Sequence, residues 1–252
     1  MTANKRGAIR DFSTKKGSVE KMTKQLTMPV YKPWFKGPVT YTDSDMVQVI
    51  FTPTAESYKR ILPKPLAPGL LGGAYIANFR NSQFGDLWEA GIVVQCTYKE
   101  HFGVYSVIQI TDNEASSIAH REIWGFPSKL GKIKCSRKDD RFKASVKRGK
   151  DTLMKLDIKL EGPGEWIDTG STINLKLIPS VDGEGYDVNQ LIAADLHTTV
   201  HEGLAGEGKL ALGSTEQDPL ADLVQLENVV AGTWFKIDMH LPFGKVIGEA
   251  EL

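Results

Sequence analysis

The densest collection of reactive side chains is Arg121-Glu122-Ile123-Trp124-Gly125-Phe126-Pro127-Ser128-Lys129-Leu130-Gly131. It combines two cations and a carboxylate with a tryptophan, a Pro turn and two glycines. Gly and Pro fix backbone geometry, and a partly apolar wall shifts the pKa of charges held against it. A second carboxylate, Glu89, stands between Trp88 and Ala90. Apolar surroundings would raise its pKa toward neutrality and suit it to general acid or base work. On residue types alone, the window reads as a strand ending in a turn with surface charges, and Glu89 as an exposed strand-end carboxylate.

Each residue of the window has two readings. Arg121 and Glu122 either form an ion pair holding the Pro turn or contact a substrate. Ser128 could hydrogen-bond a ligand or a water, but it lacks the Gly-X-Ser-X-Gly elbow of hydrolase nucleophiles. Trp124 and Phe126 are core or pocket wall, and His120 is a pocket residue or a satisfied strand-end histidine. Arg80 either binds an anionic group or is a solvated loop charge. His197 and His201 are four apart with Glu202 alongside. Thr198-Thr199-Val200 between them favours a strand, which separates the rings by about 13 Å, too far for one ion. Gly203 to Gly208 lacks the Lys-Ser/Thr of a phosphate loop. No metal or cofactor is expected.

The elements that must position these groups are mostly strands. Residues 39–51, 70–79, 91–98, 104–111, 132–135, 141–147, 152–160, 173–178 and 228–241 carry apolar runs or apolar–polar alternation. Residues 190–200 favour a strand and 203–213 a hairpin, while 78–86 reads as a polar loop. Short helices are expected at 54–61, capped by Thr54, at 113–120 and at 218–223. The expected fold is α+β and mainly β: a large antiparallel sheet closed like a barrel, with a few short helices. Residues 1–25 read as a flexible arm, and 26–252 as one domain.

The chain has 252 residues, 41% hydrophobic and 25% charged, with 31 basic against 31 acidic side chains. Zero net charge argues against a nucleic-acid partner. No apolar run approaches the ~20 residues that cross a bilayer. The N-terminus lacks a secretory core, and two cysteines, Cys96 and Cys135, are too few for a disulfide framework. A cytoplasmic protein with no membrane partner is expected.

The opening window resembles the Gly-Arg-Glu, aromatic, Pro-Lys-Lys pattern of the acetoacetate decarboxylase family. Further similarities follow in order: Lys36-Gly37-Pro38, Leu62-Pro63-Lys64-Pro65-Leu66, Asn174-Leu175-Lys176-Leu177-Ile178-Pro179 with Asp182-Gly183, and Asp218-Pro219-Leu220 with Gln225-Leu226-Glu227. The resemblance implies a large antiparallel barrel, a symmetric homo-oligomer and a small-molecule substrate. It also implies a lysine that attacks a ketone to form an imine, which draws in the electrons released as carbon dioxide leaves. Acetoacetate decarboxylase is the standard example of a lysine activated by a neighbouring cation.

At the position of the imine lysine this chain has Ser128, and Lys129 matches the second lysine. The arginine that engages the substrate carboxylate aligns with Ser44 or Asp45. One pocket glutamate aligns near Ala74; the other is Glu89. The resemblance therefore implies a lyase on a keto acid or related ketone, with Lys129 and Glu89 catalytic. Ser128, Arg121, Glu122, Trp124 and Phe126 would bind substrate. Two alternatives stand beside it: an imine-free hydratase or C–C hydrolase using Glu89, and a non-catalytic small-molecule binder.

Overall fold

The structure, a computed structural model, describes residues 37–252; the expected arm at 1–25 lies outside them. Thirteen strands form one sheet: β1 (Val39–Pro53), β2 (Ala67–Ser82), β3 (Gly85–Tyr98), β4 (His101–Thr111), β5 (Ser128–Leu130), β6 (Lys132–Lys138), β7 (Arg141–Arg148), β8 (Asp151–Pro163), β9 (Ser171–Pro179), β10 (Tyr186–Asp195), β11 (His197–Leu212), β12 (Leu226–Leu241) and β13 (Lys245–Gly248). The lateral order is β13-β10-β9-β4-β3-β2-β1-β12-β11-β8-β7-β6, with β5 added beside β4. The mainly β architecture with few helices is as expected. Two details differ. No pairing joins β13 to β6, so the sheet curls without closing, and β4 pairs β5 and β9 in parallel rather than antiparallel.

Three short helices punctuate the sheet: α1 (Ala55–Ile61), α2 (Glu114–Ala119) and α3 (Leu220–Leu223). Thr54 caps α1, its side chain accepting from the Ser57 amide, and Asn113 caps α2 in the same way through Ser116. Such caps satisfy amides that have no partner within the helix. Beyond α2 the chain continues as a π-helical turn, His120–Trp124. The sequence pattern there suggested a strand end; the helical run begun at Glu114 instead carries through. Gly125 ends it with φ +73°, a conformation that disfavours any side chain. A Cβ there would also sit 2.8 Å from the Lys176 backbone nitrogen.

Two further expectations are corrected. Residues 203–212 are not a hairpin but the second half of β11, held straight between β8 and β12. Residues 78–82 belong to β2 rather than a loop, because Asn78 and Phe79 pair with Trp88 and Leu87.

Strand alternation gives β1 two faces. Val47, Val49 and Phe51 join a core with Ile76, Ile92, Phe142, Leu156 and Ile158. Met46, Gln48 and Ile50 face a cavity on the other side. A second core, containing Val39, Trp124, Phe235 and Ile237, closes the end of that cavity.

Candidate active site

The cavity has a volume of about 390 Å³, within the range of small-molecule sites. A lateral row of residues crosses five strands beside it, and Gln48, Tyr75 and Gln109 of that row line it. Gln48 pairs with Tyr75, Tyr75 with Gly91, Gly91 with Gln109, and Gln109 with Ser128. Glu89 lies two residues from Gly91 on β3 and therefore shares its face. Gly91 leaves room for the Tyr75 ring: a Cβ there would be 2.7 Å from Tyr75 Cε1. Across this gap the Tyr75 hydroxyl donates to Glu89 Oε1 at 2.9 Å.

Glu89 is only 4% exposed. Burial pushes its carboxyl pKa up to about 7, and hydrogen bonds from Gln109 and Tyr75 draw it partly back. Its second oxygen, Oε2, has no hydrogen-bond partner. His120 Nδ1 lies 3.5 Å from it. The distance would admit an ion pair, but burial lowers the His120 pKa to about 3, so the ring is neutral at physiological pH. The two groups are therefore in contact without a full hydrogen bond. His120 Nε2 faces the Tyr41 hydroxyl at 3.3 Å, and Phe84, Trp124 and Phe126 surround the ring.

The pair has a calculable effect on stability. Between about pH 4.5 and 6.5, folded Glu89 holds one proton and folded His120 none. In the unfolded chain His120 holds one and Glu89 none, so proton counts match and the pair's contribution is flat. Above that window the folded state alone is protonated, and stability falls as pH rises through about 7. Below it the unfolded state binds the extra proton, and stability falls with acid. Glu89→Gln is expected to remove the alkaline fall and, measured against its effect at pH 4, to stabilise the fold by up to about 3 kcal/mol at pH 8, the worth of a carboxyl shifted from 4.5 to about 7. It should also move the start of the acid decline up toward 6.5. Urea titrations from pH 4 to 9 read both effects; unchanged profiles would refute the burial of this pair.

The other expected site residues are dispersed. Phe126 lines the cavity. Trp124 lies one layer behind it, fully buried, its Nε1 donating to the Pro242 carbonyl at 2.7 Å. Ser128 is buried beside Gln109, but its hydroxyl turns to α2 and donates to Ser117 Oγ at 3.1 Å.

Lys129 points away from the cavity, as strand alternation requires of the residue after Ser128. Its Nζ lies 2.6 Å from Asp218 Oδ1, a buried carboxylate that also holds Arg148. Lys129, expected to form an imine, is thus held outside the cavity lining. Arg121 and Glu122, expected to bind substrate, are exposed on the outer face of the π turn and do not line the cavity. Arg80 lies in β2, 3.0 Å from Asp45, also outside the lining. His201 pairs with Asp238 at 3.0 Å on the outer surface, whereas His197 lines the cavity.

Several cavity residues were not read from sequence: Tyr41, Tyr75, Gln109 and Thr172. Their signal is positional, since each lies on the Glu89 side of its own strand, and register alone brings them together. Thr172 and Gln109 each carry a buried side-chain oxygen without a partner. Residues 164–170, the segment between β8 and β9, add Glu165, Trp166 and Asp168 to the wall. Trp166 packs edge-on against Phe235, with ring centroids 5.1 Å apart.

The site is thus a curled β-sheet around a cavity whose lining includes one buried carboxylate, Glu89. The chain belongs to the acetoacetate decarboxylase family: the model of the family described as "Acetoacetate decarboxylase (ADC)" matches residues 27–250. An acetoacetate decarboxylase of Burkholderia vietnamiensis is 27% identical over 235 residues, covering 89% of this chain and 95% of the relative. The structure of acetoacetate decarboxylase from Legionella pneumophila superposes with a TM-score of 0.82 at 25% identity, covering 96% of this chain and 99% of that one. The enduracididine biosynthesis enzyme MppR complexed with pyruvate shares the fold, with a TM-score of 0.75 at 16% identity over 85% of this chain and 92% of that one. No helix among the described residues is long and apolar enough to cross a membrane.

Proposed function

We propose that this chain is an imine-free enzyme of the acetoacetate decarboxylase family in which Glu89 acts as a general base on an enolisable carbonyl compound. One observation carries the reading: among the described residues no lysine lines the cavity, while Glu89 does, and its Oε2 has no hydrogen-bond partner. In the ionised form, Oε1 is held by Tyr75 and Oε2 is free to take a proton from the carbon next to the carbonyl. The electron pair of that C–H bond becomes a C=C bond as the carbonyl π pair moves to oxygen, giving an enolate. The Thr172 hydroxyl is a donor in the same wall that can hydrogen-bond the oxygen. Return of the proton from Glu89 to carbon regenerates the ketone or delivers its isomer. A pKa near 7 suits both directions, because donor and acceptor forms coexist.

Proton exchange into simple methyl ketones in deuterium oxide, followed by proton NMR, measures this step without knowledge of the natural substrate. Lys129→Ala is expected to retain exchange within about threefold, because its Nζ is engaged outside the cavity by Asp218. Borohydride with the ketone should leave no lysine adduct detectable by mass spectrometry. A trapped adduct on any lysine, with exchange lost in Lys129→Ala, would overturn the imine-free reading.

A further inference from the structure

The cavity wall is one-sided in charge. Among the described residues it contains three carboxylates, Glu89, Glu165 and Asp168, and no lysine or arginine. Its basic groups are the imidazoles of His120 and His197, and the first of these is neutral. The guanidinium of Arg80 is held by Asp45 and Asp43 outside the lining. The Glu165 and Asp168 side chains are exposed, which places them at the mouth, while Glu89 is buried at the base.

Three buried polar atoms in this wall lack partners: Glu89 Oε2, Gln109 Oε1 and Thr172 Oγ1. Their residues are between 2% and 4% exposed. Buried polar groups are normally paired, so three unpaired oxygens in one wall set this site apart from an ordinary core. All three are acceptors, and only Thr172, or Glu89 when protonated, can also donate. A ligand carboxylate brings acceptors alone. It would face ionised Glu89 with only neutral donors such as Ser106 and Gln48 in the wall, and among the described residues no lysine or arginine lines the cavity to offset its loss of hydration. A ligand carbonyl can accept from Thr172, and a ligand hydroxyl or N–H can donate to Gln109.

We propose that the site takes an uncharged polar carbonyl compound and that its carboxylate-lined wall turns away keto acids. This rests on the reading of Glu89 as the base. It runs against the keto acid implied by family resemblance, and the reason is compositional: among the described residues, none with a permanent positive charge lines the cavity. Repulsion between a substrate anion and ionised Glu89 about 6 Å away corresponds to roughly 100-fold discrimination at the effective dielectric of a protein site. The mouth carboxylates add a smaller, salt-dependent contribution.

Levulinate and its methyl ester form a suitable pair of probes, because they present the same ketone with and without a charge. Proton exchange next to the ketone, read by NMR in deuterium oxide at pH 8 and low salt, is expected to show kcat/KM at least 10-fold higher for the ester. In the double variant Glu165→Gln/Asp168→Asn the gap should narrow through a lower KM for levulinate, and added salt should narrow it in the native protein. Equal exchange of the two probes, with both lost in Glu89→Gln, would overturn the substrate class and leave Glu89 as the base. Exchange of the ester that survives Glu89→Gln would instead overturn Glu89 as the base. Ligand-observed NMR then decides the substrate class alone: binding of the ester in preference to levulinate upholds it, and equal binding or no binding of either overturns it.

Discussion

Glu89→Gln is expected to lower proton exchange into a methyl ketone by two to four orders of magnitude, roughly the contribution of a positioned general base. Glutamine has nearly the shape of glutamate, so it keeps the acceptor for the Tyr75 hydroxyl while removing the group that can take up and release a proton. The native pH profile should rise through about 7, because Glu89 must lose its proton before it can accept one. The groups facing it are Tyr75 from β2, Gln109 from β4 and His120 from the π turn, with Tyr41 of β1 behind the imidazole. Burial keeps the tyrosines protonated and His120 neutral across this range, and a His197→Gln control that keeps the limb would separate Glu89 from the other imidazole of the lining. The Glu89→Gln variant should lose the limb as well as the rate. A profile that falls through the same midpoint would make Glu89 a general acid, and a variant with native exchange would remove it from the chemistry altogether.

Trp124→Ala should destabilise the fold by about 3–5 kcal/mol, the usual range for truncating a fully buried large aromatic. Trp124 is 0% exposed, and its indole nitrogen donates to the Pro242 carbonyl. Its removal leaves a void behind the cavity and an unpaired carbonyl. The same ring packs against His120 with centroids 5.7 Å apart, so the loss should also loosen the wall around Glu89. Arg121→Ala, three residues earlier on the exposed side of the turn, should change stability by no more than about 0.5 kcal/mol. Urea denaturation of the two variants separates these effects. A Trp124→Ala loss below about 1 kcal/mol would mean that the π turn is held by something other than its tryptophan.

The contrast between these two positions shows how much of the site was readable in one dimension. The 121–131 window was singled out for its concentration of charge beside glycine and proline, and it does border the cavity. Its charges, however, are the part that faces away. Arg121 and Glu122 lie on the outer face of the π turn and Lys129 on the outer face of β5, whereas the apolar Phe126 lines the cavity and Trp124 supports it. Charges are easily noticed in a sequence, but leaving them in water avoids the penalty of burial. Glu89 is the exception. It is recognisable from its apolar neighbours and family position, and its burial is tolerated because Tyr75 supplies a hydrogen bond and the carboxyl can keep its proton.

Local patterning by itself determined the strand-rich class, the helix capped by Thr54 and the short helix that follows Asp112, because alternation and caps are properties of neighbouring residues, while the candidacy of Glu89 came from the family resemblance of the sequence. Tertiary structure alone decided that Tyr75, Gln109, Thr172 and His120 meet Glu89, and that the sheet curls without joining its edges. Those contacts depend on the register between strands far apart in the chain and on which way a π turn swings one imidazole. Register is set by how a whole sheet buries its two faces, and a single-residue slip would send every one of these side chains to the opposite side.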